Sequence, residues 1–132
     1  MSEQKKILVV DDSHLIRHLV KKSLNELGYN NVEIAEDGEQ GKELFLKAKE
    51  AKDAFEIVIS DWKMPKMTGL ELLKFVRAEK NLPNVAFIML TAECERSSII
   101  DAVGEGVDAY IFKPFQKPDL EKAIQKILKK YS

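Results

Sequence analysis

Short apolar runs alternate with longer amphipathic stretches five times along this chain, and this alternation constrains the fold more than any other feature of the sequence. The apolar runs have the length of strands and occupy residues 7–10, 32–35, 57–59, 86–90 and 109–112. The stretches after them carry apolar residues at helical spacing, and beyond the first helix they cover residues 38–51, 68–79, 96–105 and 117–130. The pattern therefore predicts five strand–helix units.

The first and last predicted helices show clear apolar faces. Gly28 is expected just beyond the end of the first helix, and Pro118 lies in the first turn of the last one. Each helix has one apolar stripe, and the two stripes are Leu15, Ile16, Leu19, Val20, Leu24 and Leu27, and Leu120, Ala123, Ile124, Ile127 and Leu128. Such stripes are typical of helices that pack against a sheet.

Strands and helices that alternate in this way form a parallel sheet, because each right-handed crossover returns the chain to the same end of the sheet. The first, third and fourth runs are apolar on both faces, as central strands are, whereas residues 32–36 alternate like an edge strand. The predicted fold class is α/β, a doubly wound five-stranded parallel sheet of order 2-1-3-4-5 with five helices, which is the flavodoxin-like arrangement. With 132 residues, the chain is expected to form one domain.

Composition excludes several classes of function. The chain has 21 basic and 22 acidic residues and a net charge of −1, so it lacks the positive field that would hold a nucleic acid. Its apolar runs are too short for a signal peptide or a membrane span, so we expect a cytoplasmic protein without membrane contact. We also expect the protein to be a monomer. With one cysteine, Cys94, and two histidines, any bound metal is expected to have oxygen ligands.

Polar residues come at the ends of four predicted strands. Asp11 and Asp12 follow the first strand, Asp61 follows the third, Thr91 ends the fourth, and Lys113 follows the fifth. In the predicted topology, the carboxyl ends of these strands face one crevice at the switch point between strands 1 and 3. We therefore expect the five side chains to converge there.

Three carboxylates gathered in one crevice need a compensating charge. At separations of about 5 Å they would repel by roughly 3 kcal/mol per pair at an effective dielectric constant near 20. Oxygen ligands with room for water suit Mg²⁺. A divalent ion and a lysine beside a carboxylate are also the components of phosphoryl transfer, in which a carboxylate oxygen attacks in line. The sequence thus predicts a Mg²⁺ site in which one of the aspartates is a nucleophile.

Four motifs in this order resemble the signature of response-regulator receiver domains. They occupy residues 11–12 (Asp-Asp), 61–65 (Asp-Trp-Lys-Met-Pro), 91–93 (Thr-Ala-Glu) and 110–115 (Tyr-Ile-Phe-Lys-Pro-Phe). The resemblance covers the whole chain and is greatest to the CheY-like chemotaxis regulators. It implies a single receiver domain over residues 1–132 with no output domain.

The resemblance implies roles for the acidic residues. Asp61 is the implied phosphoacceptor. Asp12, Asp61 and the backbone carbonyl of Lys63 are the implied Mg²⁺ ligands, with Asp11 acting through water. Lys63 departs from the family pattern, since the well-known chemotaxis members have asparagine at this position. A lysine that reaches across the pocket toward Glu93 would shield the acyl phosphate from water. The lifetime of the phosphate is therefore expected to depend on Lys63.

The resemblance also implies how the signal leaves the crevice. Lys113 and Thr91 are implied to contact the phosphoryl oxygens, and Tyr110 is implied to rotate inward when Thr91 shifts toward them. The peptide bond that precedes Pro114 is implied to be cis.

The predicted function is a phosphorylation-controlled binding module rather than an enzyme. A histidine kinase would donate the phosphoryl group, and a flagellar-motor switch protein or a phosphotransfer protein would read the altered surface. The expected partner surface combines an apolar patch, a movable aromatic ring and a basic rim, formed by Ile99, Val103, Tyr110, Lys122 and Lys126.

Three alternatives remain. The same residues would serve a phosphotransfer intermediate in a multistep relay, for which a long-lived phosphate is an advantage. An aspartate-nucleophile phosphohydrolase would have a second carboxylate two residues after Asp11, where this chain has Ser13. A flavodoxin-like FMN carrier would need a phosphate loop rich in Ser, Thr and Gly after the first strand, and residues 13–16 do not provide it.

Overall fold

The computed structural model describes residues 5–82 and 84–131, in which five strands and five helices alternate. The strands are β1 (Ile7–Val10), β2 (Val32–Ala35), β3 (Ile57–Ser60), β4 (Ala86–Thr91) and β5 (Ala109–Phe112). The helices are α1 (His14–Glu26), α2 (Gly38–Glu50), α3 (Gly69–Ala78), α4 (Arg96–Gly104) and α5 (Lys117–Lys130). Within these ranges, every helix falls short of the length and apolar character that a membrane span requires. The expectations about the first four residues and Ser132 concern positions outside this description.

The strands pair in parallel in the predicted order, β2-β1-β3-β4-β5. At the carboxyl end of the central ladders, Val10 lies opposite Ala35 on β2 and opposite Ser60 on β3. The chain passes from β2 over β1 to β3, so the switch point lies between β1 and β3. Residues that follow these two strands are therefore brought to the same edge of the sheet.

Apolar side chains fill one layer on each face of the sheet. On one face, Val20 and Leu24 of α1 and Ile124 of α5 are buried against the strands. On the other face, Phe45 of α2 and Leu72 of α3 occupy the equivalent layer. Because both faces are covered, β1, β3 and β4 are buried along their whole length, as their continuous apolar runs predict.

The apolar face of α1 is narrower than the sequence predicts. Val20 and Leu24 are buried, whereas Leu15 and Leu19 are 65% and 43% exposed. Successive residues turn by about 100° around a helix, so positions 15 and 19 lie roughly a quarter turn from the seam that contains Ile16 and Val20. The expectation of one buried stripe is wrong for these two leucines.

β2 is an edge strand, as its sequence predicts, but its burial does not alternate. Val32 and Ala35 are buried, whereas Glu33 and Ile34 are exposed. Ile34 lies on the same face of the strand as Val32, the face covered by α1, and remains 39% exposed there. α1 therefore does not fully cover the carboxyl end of β2.

Two local features fix the loop between β3 and α3. α3 begins with a capping box, in which the Thr68 hydroxyl accepts a hydrogen bond from the Glu71 amide and the Glu71 carboxylate accepts one from the Thr68 amide. A Cβ atom at Gly69 would overlap the carbonyl oxygen of Asp61, so this close approach requires glycine. The loop thus returns tightly over the end of β3, where Asp61 lies.

Candidate functional site

Three carboxylates meet at the carboxyl edge of the sheet, as the sequence predicts. Asp11 and Asp12 follow β1 and Asp61 follows β3, and one oxygen from each lies within 4.8 Å of the others. Asp11 and Asp61 are buried, with 2% and 8% of their surface exposed, whereas Asp12 is exposed. The cluster therefore has two fixed, interior members and one that faces solvent, and it could hold a metal ion.

Lys113 bridges the two buried carboxylates. Its Nζ atom donates to Asp11 Oδ2 at 2.8 Å and to Asp61 Oδ2 at 3.0 Å. Burial alone would lower the pKa of Lys113, but its hydrogen bonds to the two carboxylates outweigh burial and raise it. Burial also raises the pKa of Asp11. The rise at Lys113 thus reflects its two carboxylate partners, and the rise at Asp11 reflects the loss of solvent around it.

The backbone holds the second oxygen of each buried carboxylate. Asp11 Oδ1 accepts from the Ser13 amide at 2.9 Å, and Asp61 Oδ1 accepts from the Trp62 amide at 2.7 Å. Ser13 is also the N-cap of α1, since its hydroxyl accepts from the Ile16 amide. Each carboxylate is therefore oriented by its own loop and offers its other oxygen to Lys113.

Lys63 forms an ion pair with Glu93, the residue toward which the sequence predicts that it reaches. Lys63 lies two residues after Asp61, in the loop between β3 and α3, and its side chain is 80% exposed. Its Nζ atom is 3.5 Å from Glu93 Oε2, and only 10% of the Glu93 side chain is exposed. This ion pair joins the β3–α3 loop to the β4–α4 loop. The metal-binding role of the Lys63 carbonyl stays a prediction.

Thr91 and Tyr110 both contact the β4–α4 loop. Thr91 is 1% exposed, and its hydroxyl accepts from the Glu93 amide at 3.1 Å. The Tyr110 hydroxyl donates to the Glu93 carbonyl at 2.7 Å. Burial, followed by the nearby charge of Glu93, raises the pKa of Tyr110 to about 12. The family resemblance implies that Tyr110 rotates inward when Thr91 shifts. In this structure the Tyr110 hydroxyl is bonded to the β4–α4 loop without a phosphoryl group.

The peptide bond between Lys113 and Pro114 is cis, as the resemblance implies.

The predicted partner surface divides between a groove and α4. The groove, about 440 Å³ in volume, is lined by Ala109, Tyr110, Ile111, Phe112, Asp119, Lys122, Ala123 and Lys126. Val103 is 64% exposed, as this prediction requires, but Ile99 is half-buried, and Ile100, which is 59% exposed, completes the apolar patch of α4. The expectation that Ile99 is an open contact residue therefore needs this correction.

Sequence reasoning does not identify two residues that organise the site and its support. Arg17 donates to the Asp11 carbonyl at 2.7 Å and so fixes the turn after β1 from within α1. Asp108 is buried just before β5, where it accepts from the Phe87 amide at 2.8 Å and pairs with Arg77 and Lys130. An aspartate directly before an apolar strand was the available signal for Asp108, whereas a contact with a backbone carbonyl leaves no mark in the sequence.

Comparisons with known proteins identify this arrangement. The family model for the response regulator receiver domain matches residues 7–125. The chain is 38% identical to the chemotaxis protein CheY-3 of Vibrio cholerae over 130 residues, which are 98% of this chain and 96% of that protein. It is 41% identical to the chemotaxis protein CheY homolog of Campylobacter jejuni over 123 residues, which are 93% and 92% of the two chains.

Solved structures agree with the sequence matches. The chemotaxis protein CheY4 of Vibrio cholerae has a TM-score of 0.81 and 35% identity, with coverage of 94% of this chain and 98% of that one. A chain of the CheX–CheY–BeF3–Mg²⁺ complex from Borrelia burgdorferi has a TM-score of 0.80 and 26% identity, with coverage of 94% and 89%. These matches favour the receiver interpretation over the phosphohydrolase and FMN-carrier alternatives. The chain belongs to the response regulator receiver domain family and is a two-component response regulator.

Proposed function

We propose that a histidine kinase phosphorylates this response regulator on Asp61 in a Mg²⁺-dependent reaction, and that the phosphorylated form acts in chemotaxis by binding a flagellar-motor component. The observation that carries the proposal is the Lys113 ammonium group, which bridges Asp11 and Asp61 inside a cluster of three carboxylates. That arrangement places a fixed cation against a carboxylate oxygen that can act as nucleophile.

The charge of the cluster suits a divalent cation. Three carboxylates and one ammonium group leave two negative charges in a site where two of the carboxylates are buried. Asp12, Asp61 and the Lys63 carbonyl are the proposed ligands, with Asp11 acting through water. When bound, Mg²⁺ supplies positive charge that offsets the charge of the phosphoryl oxygens.

Asp61 is the proposed nucleophile because of its position and its neighbours. It follows the central strand β3, its Oδ1 atom is held by the Trp62 amide, and Lys113 fixes its Oδ2 atom. In the proposed transfer, a carboxylate oxygen of Asp61 forms a bond to phosphorus while the bond between phosphorus and the kinase histidine nitrogen breaks. The electron pair of that bond stays on the imidazole. The protein is a phosphoacceptor rather than an enzyme, and water later hydrolyses the acyl phosphate.

The proposed output surface is the groove between β5 and α5 together with the exposed patch of α4. Tyr110 and Phe112 supply aromatic surface, and Lys122 and Lys126 supply positive charge at the groove. Such a surface fits an acidic, amphipathic segment of a partner. The similarity to chemotaxis proteins supports a motor partner, and the CheX–CheY complex from Borrelia burgdorferi supports a CheX-like protein as a further one.

A role in a multistep relay is the second candidate. The observation that favours it is the Lys63–Glu93 ion pair, which joins the loop after Asp61 to the β4–α4 loop and is proposed to shield the acyl phosphate from water. A slowly hydrolysed phosphate would suit an intermediate that passes its phosphoryl group to a phosphotransfer protein.

Intact mass spectrometry tests the phosphoacceptor. We expect incubation with acetyl phosphate and Mg²⁺ to add one phosphoryl group to the wild type and none to Asp61→Asn. Asp101→Asn, which removes an exposed carboxylate on α4, is the control and should be labelled like the wild type. An adduct that persists in Asp61→Asn would contradict the assignment.

A further inference from the structure

Glu93, in the β4–α4 loop, contacts three other parts of the site. Its amide donates to the Thr91 hydroxyl at 3.1 Å, and its carbonyl accepts from the Tyr110 hydroxyl at 2.7 Å. Its carboxylate accepts from the Glu95 amide at 3.0 Å through Oε1 and pairs with Lys63 at 3.5 Å through Oε2. One residue of the β4–α4 loop therefore contacts the end of β4, the aromatic ring on β5 and the loop that follows Asp61.

In the part of the chain that the structure describes, α4 offers this loop no side-chain cap. The N-cap residue Glu95 makes no side-chain capping bond to α4. The helix has nine residues and its last residue is Gly104, and glycine within a helix costs about 1 kcal/mol of helix stability relative to alanine. The contacts of Glu93 therefore hold this loop where α4 offers it no side-chain cap.

We propose that the Lys63–Glu93 ion pair is a latch that holds the β4–α4 loop where the Glu93 carbonyl accepts the Tyr110 hydroxyl, before Asp61 is phosphorylated. The inference rests on the proposed function in one respect, the role of Tyr110 as the residue that moves. Lys63 is a positioning residue in this account, since it acts on Tyr110 through Glu93.

The strength of the latch follows from its exposure. An ion pair with one strongly exposed partner has an interaction energy that changes a conformational ratio by about 1.5- to fivefold. A change of this size shifts the conformational equilibrium of the loop without fixing it, so the loop can still respond to phosphorylation. A ligand that binds only the conformation in which Tyr110 is bonded to Glu93 would bind up to about fivefold more tightly with the ion pair than without it. The reason is that the ion pair already populates this conformation.

Fluorine NMR of protein labelled with 3-fluorotyrosine measures this bias directly. The chain has three tyrosines, and the resonance of Tyr110 is assigned by its absence in Tyr110→Phe. Without Mg²⁺ or a phosphoryl mimic, we expect Lys63→Gln and Glu93→Gln to move this resonance in the same direction, which corresponds to a 1.5- to fivefold change in the conformational ratio. The double variant should show no further change, because each single variant already breaks the pair.

Lys66→Gln is the matched control. Lys66 belongs to the same loop and is also exposed, but it pairs with Asp37 at 3.7 Å instead of Glu93. We expect its Tyr110 resonance to match that of the wild type. Equal Tyr110 resonances in the wild type, Lys63→Gln and Glu93→Gln would overturn the latch, as would an equal shift in Lys66→Gln.

Addition of beryllofluoride with Mg²⁺ separates this inference from the proposed function. A Tyr110 resonance that responds to beryllofluoride, but not to the loss of Lys63 or Glu93, would retain the switch and reject the latch. A resonance that shifts in Lys63→Gln and Glu93→Gln but ignores beryllofluoride would establish the contact and reject Tyr110 as the phosphorylation switch.

Discussion

At the scale of single residues, the site is governed by an excess of negative charge around one lysine. Lys113 satisfies one oxygen of Asp11 and one of Asp61, and the exposed Asp12 adds a third carboxylate. Such clusters reduce the stability of the protein without a cation and are retained for binding. Two substitutions separate the charge effect from the control of water access.

Asp12→Ala tests the charge balance. We expect weaker Mg²⁺ binding, because a ligand is lost, and a more stable protein in the absence of metal, because repulsion with Asp61 is removed. Since Asp12 is exposed and screened by water, the gain in the free energy of unfolding should be at most about 1 kcal/mol. Thermal unfolding with and without Mg²⁺ measures both effects, and Asp101→Ala serves as the control. A wild type whose melting temperature ignores saturating Mg²⁺ would contradict the metal site.

Lys63→Asn tests water access to the acyl phosphate. The proposed role of the pair with Glu93 is to shield the acyl phosphate from water, so we expect the phosphate on Asp61 to hydrolyse several-fold faster when the pair is lost. The decay of the phosphorylated protein after removal of acetyl phosphate gives the rate. Lys66→Asn should decay like the wild type. An unchanged rate in Lys63→Asn would mean that this lysine is simply solvated.

The site residues could be predicted from the sequence to the extent that they end strands. Asp61 and Lys113 follow apolar runs, and the parallel topology brings such positions together. Arg17 could not be predicted, because its partner is the Asp11 carbonyl, a group that every residue has. The hydrogen bond from Tyr110 to the Glu93 carbonyl escapes prediction for the same reason.

At the scale of elements, α4 differs from the other helices. Ile100 and Val103 are exposed while Ala102 is buried, so a narrow contact holds this helix to the protein. Its bounds agree with the sequence to within one residue, but its orientation could not be predicted, because apolar residues occupy several of its faces. The same ambiguity explains α1, where Leu15 and Leu19 are exposed although the sequence places them in the apolar stripe.

Thr91→Ala tests the link between β4 and α4. The variant removes the hydroxyl that binds the Glu93 amide, so we expect normal beryllofluoride binding at Asp61 without a response of α4. Hydrogen exchange of the α4 amides, with and without beryllofluoride and Mg²⁺, measures this response. Thr91→Ser keeps the hydroxyl and should respond as the wild type does. A full response in Thr91→Ala would show that the signal travels by another route.

At the scale of the whole molecule, the carboxyl end of the sheet carries the candidate site, and the amino end carries a network of contacts that joins several elements. The carboxyl end holds the acidic cluster, while Asp108, before β5 at the other end, ties together α3, β4 and α5 through Arg77, the Phe87 amide and Lys130. The fold class and the strand order could be predicted from the sequence, because strands that are buried on both faces of a sheet are continuously apolar and can be recognised as central strands. The Asp108 network could not be predicted, because its partners lie far apart in the sequence.

Asp108→Asn tests that network and has a defined pH dependence. Burial alone would raise the pKa of Asp108, but the surrounding donors outweigh burial and hold it below its ordinary value of 3.8. The ionised group therefore stabilises the fold above that value, and this stabilisation is lost as the pH falls through the lowered pKa. We expect the variant to lose about 1.5–3 kcal/mol of unfolding free energy at neutral pH. Denaturant unfolding between pH 7 and about pH 3 should show the difference shrinking. A constant difference would contradict the assignment.

The central claim is that a phosphoryl group on Asp61 changes the surface formed by α4, β5 and α5. Backbone amide shifts of the ¹⁵N-labelled protein, recorded with Mg²⁺ in the absence and presence of beryllofluoride, test it most directly. The account predicts changes around Asp61 together with changes across residues 96–112, where α4, Tyr110 and the end of β5 lie. Changes confined to the surroundings of Asp61, with residues 96–112 unperturbed, would contradict it.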